Sequence, residues 1–193
     1  MSRRAFKKRN LGFAININLG NYYDQISNGY EELHKQEQTN KLRIAKGMLN
    51  LNRDDWLLDV GAGTGISTEI FDCRITLLDS SKRLLDIARK RVNIVKNKGK
   101  VEFVLADAEN MPFRDKTFDA AICITSIHNF SNPSKALEEI MRVTKNRKEN
   151  IVISVLKKSR KREIIIGLLE SYFKVRKVID EKNDLIFLLE SIK

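Results

Sequence analysis

The sequence has 193 residues, of which 42% are hydrophobic and 32% are charged, a composition typical of a folded globular protein and not of a disordered chain. No apolar run approaches the ~20 residues that cross a bilayer, and no apolar core follows the basic amino terminus, so neither a transmembrane helix nor a secretory signal is expected. Cys73 and Cys123 stand outside any CxxC or Cys/His motif, which argues against a disulfide framework or a zinc site and favours a cytoplasmic location.

The net charge of +11 is concentrated in two parts of the sequence. Residues 1–58 and 134–193 carry almost all of the basic excess, whereas residues 59–133 are close to neutral. An excess of this kind, with a sequence pI of 9.7, allows two interpretations. It either binds the phosphates of a nucleic acid or forms an ordinary, well-solvated lysine-rich surface. No membrane partner is expected.

From Trp56 onward, short apolar runs alternate with segments of helical period. Because strands that alternate with helices form parallel sheets, we expect a mostly parallel α/β sheet with helices on both faces. The last two runs are separated by three polar residues and predict a hairpin, which places one antiparallel strand near the carboxyl terminus. The seven expected strands are residues 56–60, 74–79, 101–106, 118–127, 150–156, 174–180 and 184–190.

Helical periodicity fills the intervals between these strands. A short helix is predicted at about residues 64–71, and a second begins after Ser80 and Ser81, which are suitable N-cap residues. Asn132 followed by Pro133 predicts the start of a third helix. The positions expected to face the core are Leu84, Ala88, Val92 and Val95 in the second helix, Leu137, Ile140, Met141 and Thr144 in the third, and Ile165, Leu168, Leu169 and Tyr172 in the fourth.

The first 55 residues lack strand periodicity. Residues 1–21 are predicted to be a mobile basic tail, and residues 22–55 a helical cap over the sheet edge or the ligand cleft. Since the sequence contains no internal repeat and no linker that would mark a boundary, residues 1–193 are expected to form a single domain.

The most specific local signal is Asp59-Val60-Gly61-Ala62-Gly63-Thr64-Gly65, directly after the first strand. Glycines in such a turn let the backbone bend sharply and approach a ligand closely. The spacing is GxGxG, so Ile66 stands where a dinucleotide fingerprint needs its third glycine, and the lysine of a Walker loop is absent. The alternative is a structural glycine turn without a ligand.

Two carboxylates follow the next two strands at the same edge of the sheet. Asp79 can accept hydrogen bonds from both hydroxyls of a ribose; in the alternative, it only favours the start of the following helix through the helix dipole. Asp107 can accept a hydrogen bond from an adenine amino group while the Ala108 N–H donates to the ring; the alternative is a solvated loop aspartate. The functional interpretation is favoured at both positions.

Four segments, in this order along the chain, resemble the motifs of class I S-adenosylmethionine (SAM)-dependent methyltransferases: DVGAGTG, LLDSS, ADAENMPF and FDAAICITSIHNF. The resemblance is closest to the type-11 branch, which includes the ubiquinone and menaquinone C-methyltransferases, and it covers about residues 22–156. It implies a Rossmann-like sheet, SAM as the methyl donor, S-adenosylhomocysteine as the product, and direct in-line displacement.

The resemblance also implies a set of binding residues. The glycine turn would surround the methionine part of SAM, Asp79 would bind the ribose, and the backbone at the end of strand four would lie by the amino group. In related enzymes a tyrosine of the amino-terminal cap closes over SAM; the alternative here is packing of an amphipathic helix. The expected cofactor-binding residues are Tyr22, Tyr30, Gly61, Ala62, Gly63, Gly65, Asp79, Ser80, Asp107, Ala108, Ile124 and Thr125.

His128, just after strand four, is the candidate general base if the acceptor must lose a proton. The favoured alternative is a loop histidine in the wall of the cofactor site. Cys123, within strand four, is interpreted as buried packing and not as a nucleophile. The sequence shows no cluster of metal ligands.

The acceptor remains open. A basic cluster follows strand five at the edge where α/β sheets bind ligands, and the sequence leaves no room for a substrate lid between strands five and six. An RNA acceptor and a small-molecule acceptor are both compatible with this pattern, and a protein acceptor is less favoured. Two alternatives to an enzyme are a SAM-binding sensor without turnover and a nucleic-acid-binding module with an α/β scaffold. The basic cluster consists of Lys157, Lys158, Arg160, Lys161 and Arg162.

Overall fold

The structure, a computed structural model, describes residues 35–94 and 101–192. Helix α1 covers residues 35–48, and the remaining helices are α2 (Lys82–Ile94), α3 (Pro133–Val143) and α4 (Arg162–Tyr172). The strands are β1 (Trp56–Val60), β2 (Arg74–Asp79), β3 (Val101–Leu105), β4 (Ala120–Cys123), β5 (Ile151–Leu156), β6 (Phe173–Glu181) and β7 (Asp184–Ser191). Short 3-10 helices cover Ile66–Glu69 and Ile127–Asn129.

The strands form one seven-stranded sheet in the order β3-β2-β1-β4-β5-β7-β6. All neighbours from β3 to β5 are parallel, and only β7 is antiparallel to both of its neighbours. The predicted Rossmann-like, mostly parallel sheet with one antiparallel strand is therefore confirmed. Chain order reverses between β1 and β4, and the carboxyl ends of the strands at such a switch point form the crevice in which open α/β sheets bind ligands.

Alternate residues of the buried strands face opposite sides of the sheet, because the side-chain period of a strand is two. Leu58, Ala121 and Ile153 pack on the side covered by α3 and α4. Leu57, Ile122 and Val152 pack on the side covered by α1 and α2. Helices therefore cover both faces, as predicted.

The predicted helix faces are largely confirmed. In α3 the residues Leu137, Ile140 and Met141 are buried, and Thr144 is the buried C-cap. The Asn132 side chain accepts a hydrogen bond from the Lys135 N–H, and the helix begins at Pro133.

The face predicted for α2 is wrong at one position. Leu85 is fully buried, whereas Leu84 is only half-buried, because the helix begins at Lys82 and turns Leu85 and Ala88 toward the sheet. The Ser81 hydroxyl accepts a hydrogen bond from the Leu84 N–H, so Ser81 provides the predicted cap. Val95 lies outside the described residues.

Two element boundaries differ from the prediction in ways that matter for the site. The helix expected at residues 64–71 is a four-residue 3-10 helix, too short for a helix dipole to contribute to ligand binding. Strand four was expected at residues 118–127 but ends at Cys123. Thr125 has a φ of 57°, which is incompatible with a strand and turns the chain away from the sheet.

The structure describes only part of the segment predicted to form the basic tail and the helical cap. Helix α1 lies in the segment interpreted as a helical cap, and its Leu42 and Ala45 pack against the sheet. The predicted basic tail and the first part of the cap, residues 22–34, lie outside the described residues, so both stay predictions. None of the helices within residues 35–94 and 101–192 combines the length and the apolar character that a membrane span requires.

Candidate functional site

The glycine turn lies at the switch point, directly after β1. Gly61, Gly63 and Gly65 have φ values of 71°, 56° and 72°, in the left-handed region that side chains with a Cβ rarely adopt. The N–H groups of Gly61 and Ala62 both donate to the Leu78 carbonyl of β2, at 2.8 and 3.0 Å. The turn is thus fixed to the neighbouring strand by its first half.

The three glycines have different surroundings. A Cβ on Gly61 would lie 2.6 Å from the Ser126 side chain, and one on Gly65 would lie 2.9 Å from the Cβ of Ala88. A Cβ on Gly63 would meet nothing within 4 Å. Gly61 and Gly65 are therefore needed for packing within the protein, whereas Gly63 borders open space at the carboxyl edge of the sheet.

Asp79, the last residue of β2, is held against this turn. One carboxylate oxygen accepts the Gly63 N–H at 2.8 Å and the other accepts the Ser81 N–H at 2.8 Å. The residue is 8% exposed, and Ser80 beside it is exposed. The predicted neighbourhood of Asp79 and the glycine turn is thus present, with the carboxylate between the turn and the start of α2.

Asp107 and Ala108 follow β3 at the same edge. The Ala106 N–H donates to the Asp79 carbonyl at 3.2 Å, so this loop leaves the sheet next to Asp79. Asp107 is exposed and accepts the Glu109 N–H at 2.9 Å, whereas Ala108 is buried. One Asp107 oxygen is thus used within the loop, and the backbone of Ala108 is held in place by the packing of its side chain.

The segment after β4 closes the other side of the turn. Ile124 is buried, and Thr125 follows it in a left-handed conformation. The Ser126 hydroxyl donates to the Gly61 carbonyl at 2.9 Å. Ser126 was missed from the sequence, because a lone serine in a loop carries no motif; its role follows from the packing against Gly61.

His128 lies in the 3-10 helix that follows. Its Nδ1 is buried and, within the described residues, has no hydrogen-bond partner. Burial lowers the pKa of His128, and Lys41 and Lys161 lower it further, although Asp184 opposes them. The imidazole is therefore neutral at neutral pH, which is the form that accepts a proton.

Comparison with known proteins identifies the central part of the chain. Residues 58–151 match the family Methyltransf_11, a methyltransferase domain. The match identifies this segment as a methyltransferase domain of the type-11 family.

Relatives with assigned names agree with this domain assignment. The chain is 30% identical to a demethylmenaquinone methyltransferase of Thermotoga maritima over 72% of its own length and 62% of that protein. It is 31% identical to a ubiquinone/menaquinone biosynthesis C-methyltransferase of Pseudomonas fluorescens over 63% of its own length and 47% of that protein. The chain spans about half the length of the curated relatives it matches.

A solved SAM-dependent methyltransferase of Aquifex aeolicus has the same fold. Its TM-score is 0.68 at 21% identity, with 81% of this chain and 92% of that chain covered. At this level of identity the likeness supports the fold alone.

The methyltransferase domain contains one further carboxylate at the switch point. Asp59, in β1, is 5% exposed and accepts a hydrogen bond from the Ser67 hydroxyl at 2.5 Å. Burial raises the pKa of Asp59 to about 7, and the nearby Asp79 contributes to the increase. Cys123, on β4, is fully buried, and burial raises the pKa of its thiol well above the usual range. The thiol is protonated and packed in the core, as predicted, and is unsuited to act as a nucleophile.

The buried Asp59 predicts a pH-dependent stability. In the unfolded chain this aspartate ionises near pH 3.8, whereas in the folded protein it keeps its proton to about pH 7. Between these two pH values only the folded state binds this proton. The contribution of Asp59 to the free energy of unfolding therefore falls as pH rises, by at most about 4 kcal/mol in total. Above about pH 7 the contribution no longer changes. We expect Asp59→Asn to lose this dependence, measured by urea unfolding at pH 4 to 8.

The exposed Asp54 provides the matched control for this experiment, since Asp54→Asn should leave the pH profile unchanged. If Asp59→Asn and the wild type lose stability in parallel from pH 4 to 8, the buried carboxyl is ionised throughout and the assignment is wrong.

The basic cluster lies beyond β5, at the same carboxyl edge of the sheet, and three of its members have partners. Lys157 pairs with Asp180, Lys161 donates to the Phe130 carbonyl at 2.7 Å, and Arg162 pairs with Glu163. Lys158 and Arg160 are exposed. Two of the five side chains, those of Lys158 and Arg160, are therefore available to a partner, and both interpretations of the cluster stay predictions.

Three further predictions for this site concern the two tyrosines, metal ligands and the connection between β5 and β6. Tyr22 and Tyr30 lie outside the described residues, so their contact with SAM stays a prediction. Within residues 35–94 and 101–192, no group of three or more His, Cys, Asp or Glu side chains is placed to hold a metal ion. Between β5 and β6 there is one helix, α4, as the sequence predicted.

Proposed function

We propose that the chain is a SAM-dependent methyltransferase that binds SAM in the crevice between the glycine turn, Asp79 and the loop after β4. The observation that supports this most directly is the open space at Gly63, bordered by the buried carboxylate of Asp79. A left-handed glycine with no protein atom where its Cβ would point is suited to close approach by a ligand.

The residues present fit the parts of this donor. Asp79 has two oxygens, each already accepting one backbone N–H, and a carboxylate has about four lone-pair sites in all. It can therefore accept ribose hydroxyls without losing its bonds to the turn. Ala108, with its side chain buried, would present its N–H to the adenine, and Ile124 and Thr125 would offer their backbone to the amino group. The cofactor-binding roles proposed for Ala62, Ser80 and Asp107 complete this set.

When bound, SAM supplies a methyl group on a sulfonium, which is already a strong electrophile. The protein's own contribution is then mainly positioning of the two reactants, which is worth up to roughly 7–11 kcal/mol of the barrier. Where the acceptor must lose a proton, His128 is the base that we propose, because its imidazole is neutral and lies in the short helix that follows β4. A cytoplasmic location stays a proposal, based on the cysteine usage of the sequence.

The test of this function uses labelled SAM. The protein is incubated with methyl-labelled SAM and a cell extract divided into RNA, protein and small-molecule fractions. Label that appears in one fraction, and only with active protein, names the acceptor class. A protein that binds SAM but labels no fraction is a sensor without turnover, and this result would contradict the proposal.

An RNA acceptor is a second candidate, supported by the exposure of Lys158 and Arg160 at the carboxyl edge of the sheet. If both contact phosphates, the Lys158→Ala/Arg160→Ala protein should bind a test RNA more weakly, and the slope of log affinity against log salt should fall by about 1–2. SAM affinity should be unchanged. Filter binding at several salt concentrations measures the slope.

The control for this experiment is Lys174→Ala/Lys177→Ala, which removes the same charge from exposed positions of β6. If both double variants weaken RNA binding equally, the effect reflects net charge and the basic cluster has no specific role. A small-molecule acceptor is then favoured.

A further inference from the structure

A buried ion pair lies next to the proposed methionine end of the SAM site. Lys41, in α1, and Asp184, the first residue of β7, are both 0% exposed, and their side chains form an ion pair. The Lys41 ammonium also donates to Glu37 at 2.6 Å and to the Thr125 hydroxyl at 3.1 Å. One hydrogen bond of this buried ammonium therefore holds Thr125, two residues beyond the end of β4.

The same group of residues fixes the backbone of Thr125. The Thr125 N–H donates to the Ser154 hydroxyl of β5 at 2.7 Å, and this hydroxyl donates to Asp184 at 3.1 Å. Thr125 therefore has its N–H and its hydroxyl both bound to a network that joins α1, β5 and β7. These bonds maintain a left-handed φ of 57°, which is unfavourable for a β-branched residue and persists only where the surroundings impose it.

The position of this strained residue connects the network to the glycine turn. The next residue, Ser126, donates to the Gly61 carbonyl at 2.9 Å. A buried pair that served only for packing could be replaced by apolar side chains at little cost in stability. Here the charged groups instead hold one left-handed residue, Thr125, two residues beyond the end of β4 and beside the crevice.

We propose that Lys41 and Asp184 are positioning residues that hold Thr125 in the conformation in which its backbone binds the amino-acid end of SAM. This inference rests on the proposed function. It predicts that loss of the ion pair weakens binding of the amino-acid end and not of the adenosine end. In the proposed site the adenosine end is held by Asp79 and by the loop after β3, on the other side of the glycine turn.

Two thioether ligands allow the contributions of the amino-acid end and the adenosine end to binding to be measured separately. S-adenosylhomocysteine and 5′-methylthioadenosine share the adenosine and the neutral sulfur, but only the first has the amino-acid end. Lys41→Met should weaken binding of S-adenosylhomocysteine by tenfold or more and leave the affinity for 5′-methylthioadenosine within twofold of the wild type. Titration calorimetry measures both. Lys46→Met is the control, since Lys46 lies on the same helix in an exposed ion pair with Asp72, and it should change neither affinity.

Removal of one charge leaves the other buried and unpaired, and such a variant can fail to fold. Lys41→Met/Asp184→Leu removes both charges and should recover most of the lost thermal stability, while its affinity for S-adenosylhomocysteine stays reduced. Ser154→Ala keeps both charges and removes the acceptor of the Thr125 N–H together with one hydrogen bond to Asp184. It should show the same selective loss to a smaller extent.

Three outcomes decide the matter. Selective loss of the amino-acid ligand in the folded variants supports the proposal. Wild-type affinity in the double variant, or equal loss of both ligands, overturns it and leaves the pair a packing feature. A wild-type protein that binds neither thioether contradicts the proposed function itself, which is a distinguishable result.

Discussion

Gly63→Val should abolish measurable SAM binding, with an affinity loss of more than 100-fold, and leave the protein folded. The new side chain meets no protein atom within 4 Å of its Cβ, so it would occupy the space that we assign to the ligand. The left-handed φ of 56° makes a β-branched residue unfavourable by about 1–3 kcal/mol, which a domain of this size tolerates. Titration calorimetry gives the affinity, and thermal unfolding gives the stability.

Two other glycines provide the comparison for this variant. Gly65→Val should be much less stable than Gly63→Val, because its side chain would collide with Ala88 and Leu77. Gly47→Ala, in α1, has open space and no left-handed φ, so it should bind SAM normally and gain about 0.5–1 kcal/mol from helix propensity. A Gly63→Val protein that binds SAM like the wild type would show that the ligand lies elsewhere.

Asp79→Ala should weaken SAM binding by more than tenfold and also lower the free energy of unfolding by about 2–4 kcal/mol. The two effects have different causes. The ligand would lose a charged acceptor for its ribose hydroxyls. The fold would lose the acceptor of the Gly63 and Ser81 N–H groups, and a hydrogen bond to a charged group contributes about 1.5–3 kcal/mol. Calorimetry and urea unfolding measure the two losses separately.

The control for Asp79→Ala is Asp86→Ala, at an exposed ion pair with Arg89 on α2. Surface pairs of this kind contribute about 0–1 kcal/mol, so neither the stability nor the SAM affinity should change appreciably. If Asp79→Ala loses stability but binds SAM with wild-type affinity, its carboxylate is purely structural and the ribose has another partner.

Local sequence patterns predicted the sheet well, because buried parallel strands read as short apolar runs with clear ends. β1 and β2 have the predicted bounds. The predicted carboxyl-terminal hairpin is formed by β6 and β7, and β7 is the antiparallel strand, between β5 and β6 in the sheet. The glycine turn and Asp79 were predicted together for a similar reason. Both follow strands that are neighbours in the sheet, so position at the strand end was enough to bring them close.

Features that depend on distant contacts were not predicted. The end of β4 was placed too late, because the apolar residues Ile124 and Ile127 continue the strand pattern, whereas Ser154 and Lys41 hold Thr125 in a left-handed conformation. The ion pair of Lys41 with Asp184 joins positions 143 residues apart, and neither residue belongs to a motif. The 3-10 helix after the glycine turn was also predicted too long, since helical periodicity over so few residues does not fix its ends.

The binding of SAM to the wild-type protein is the most direct test, by titration calorimetry with the full chain. The expected result is saturable binding of one SAM per chain, which is lost in the Gly63→Val protein. An absence of binding with SAM in the millimolar range would contradict the account, because the crevice would then have a shape that resembles a SAM site without its affinity.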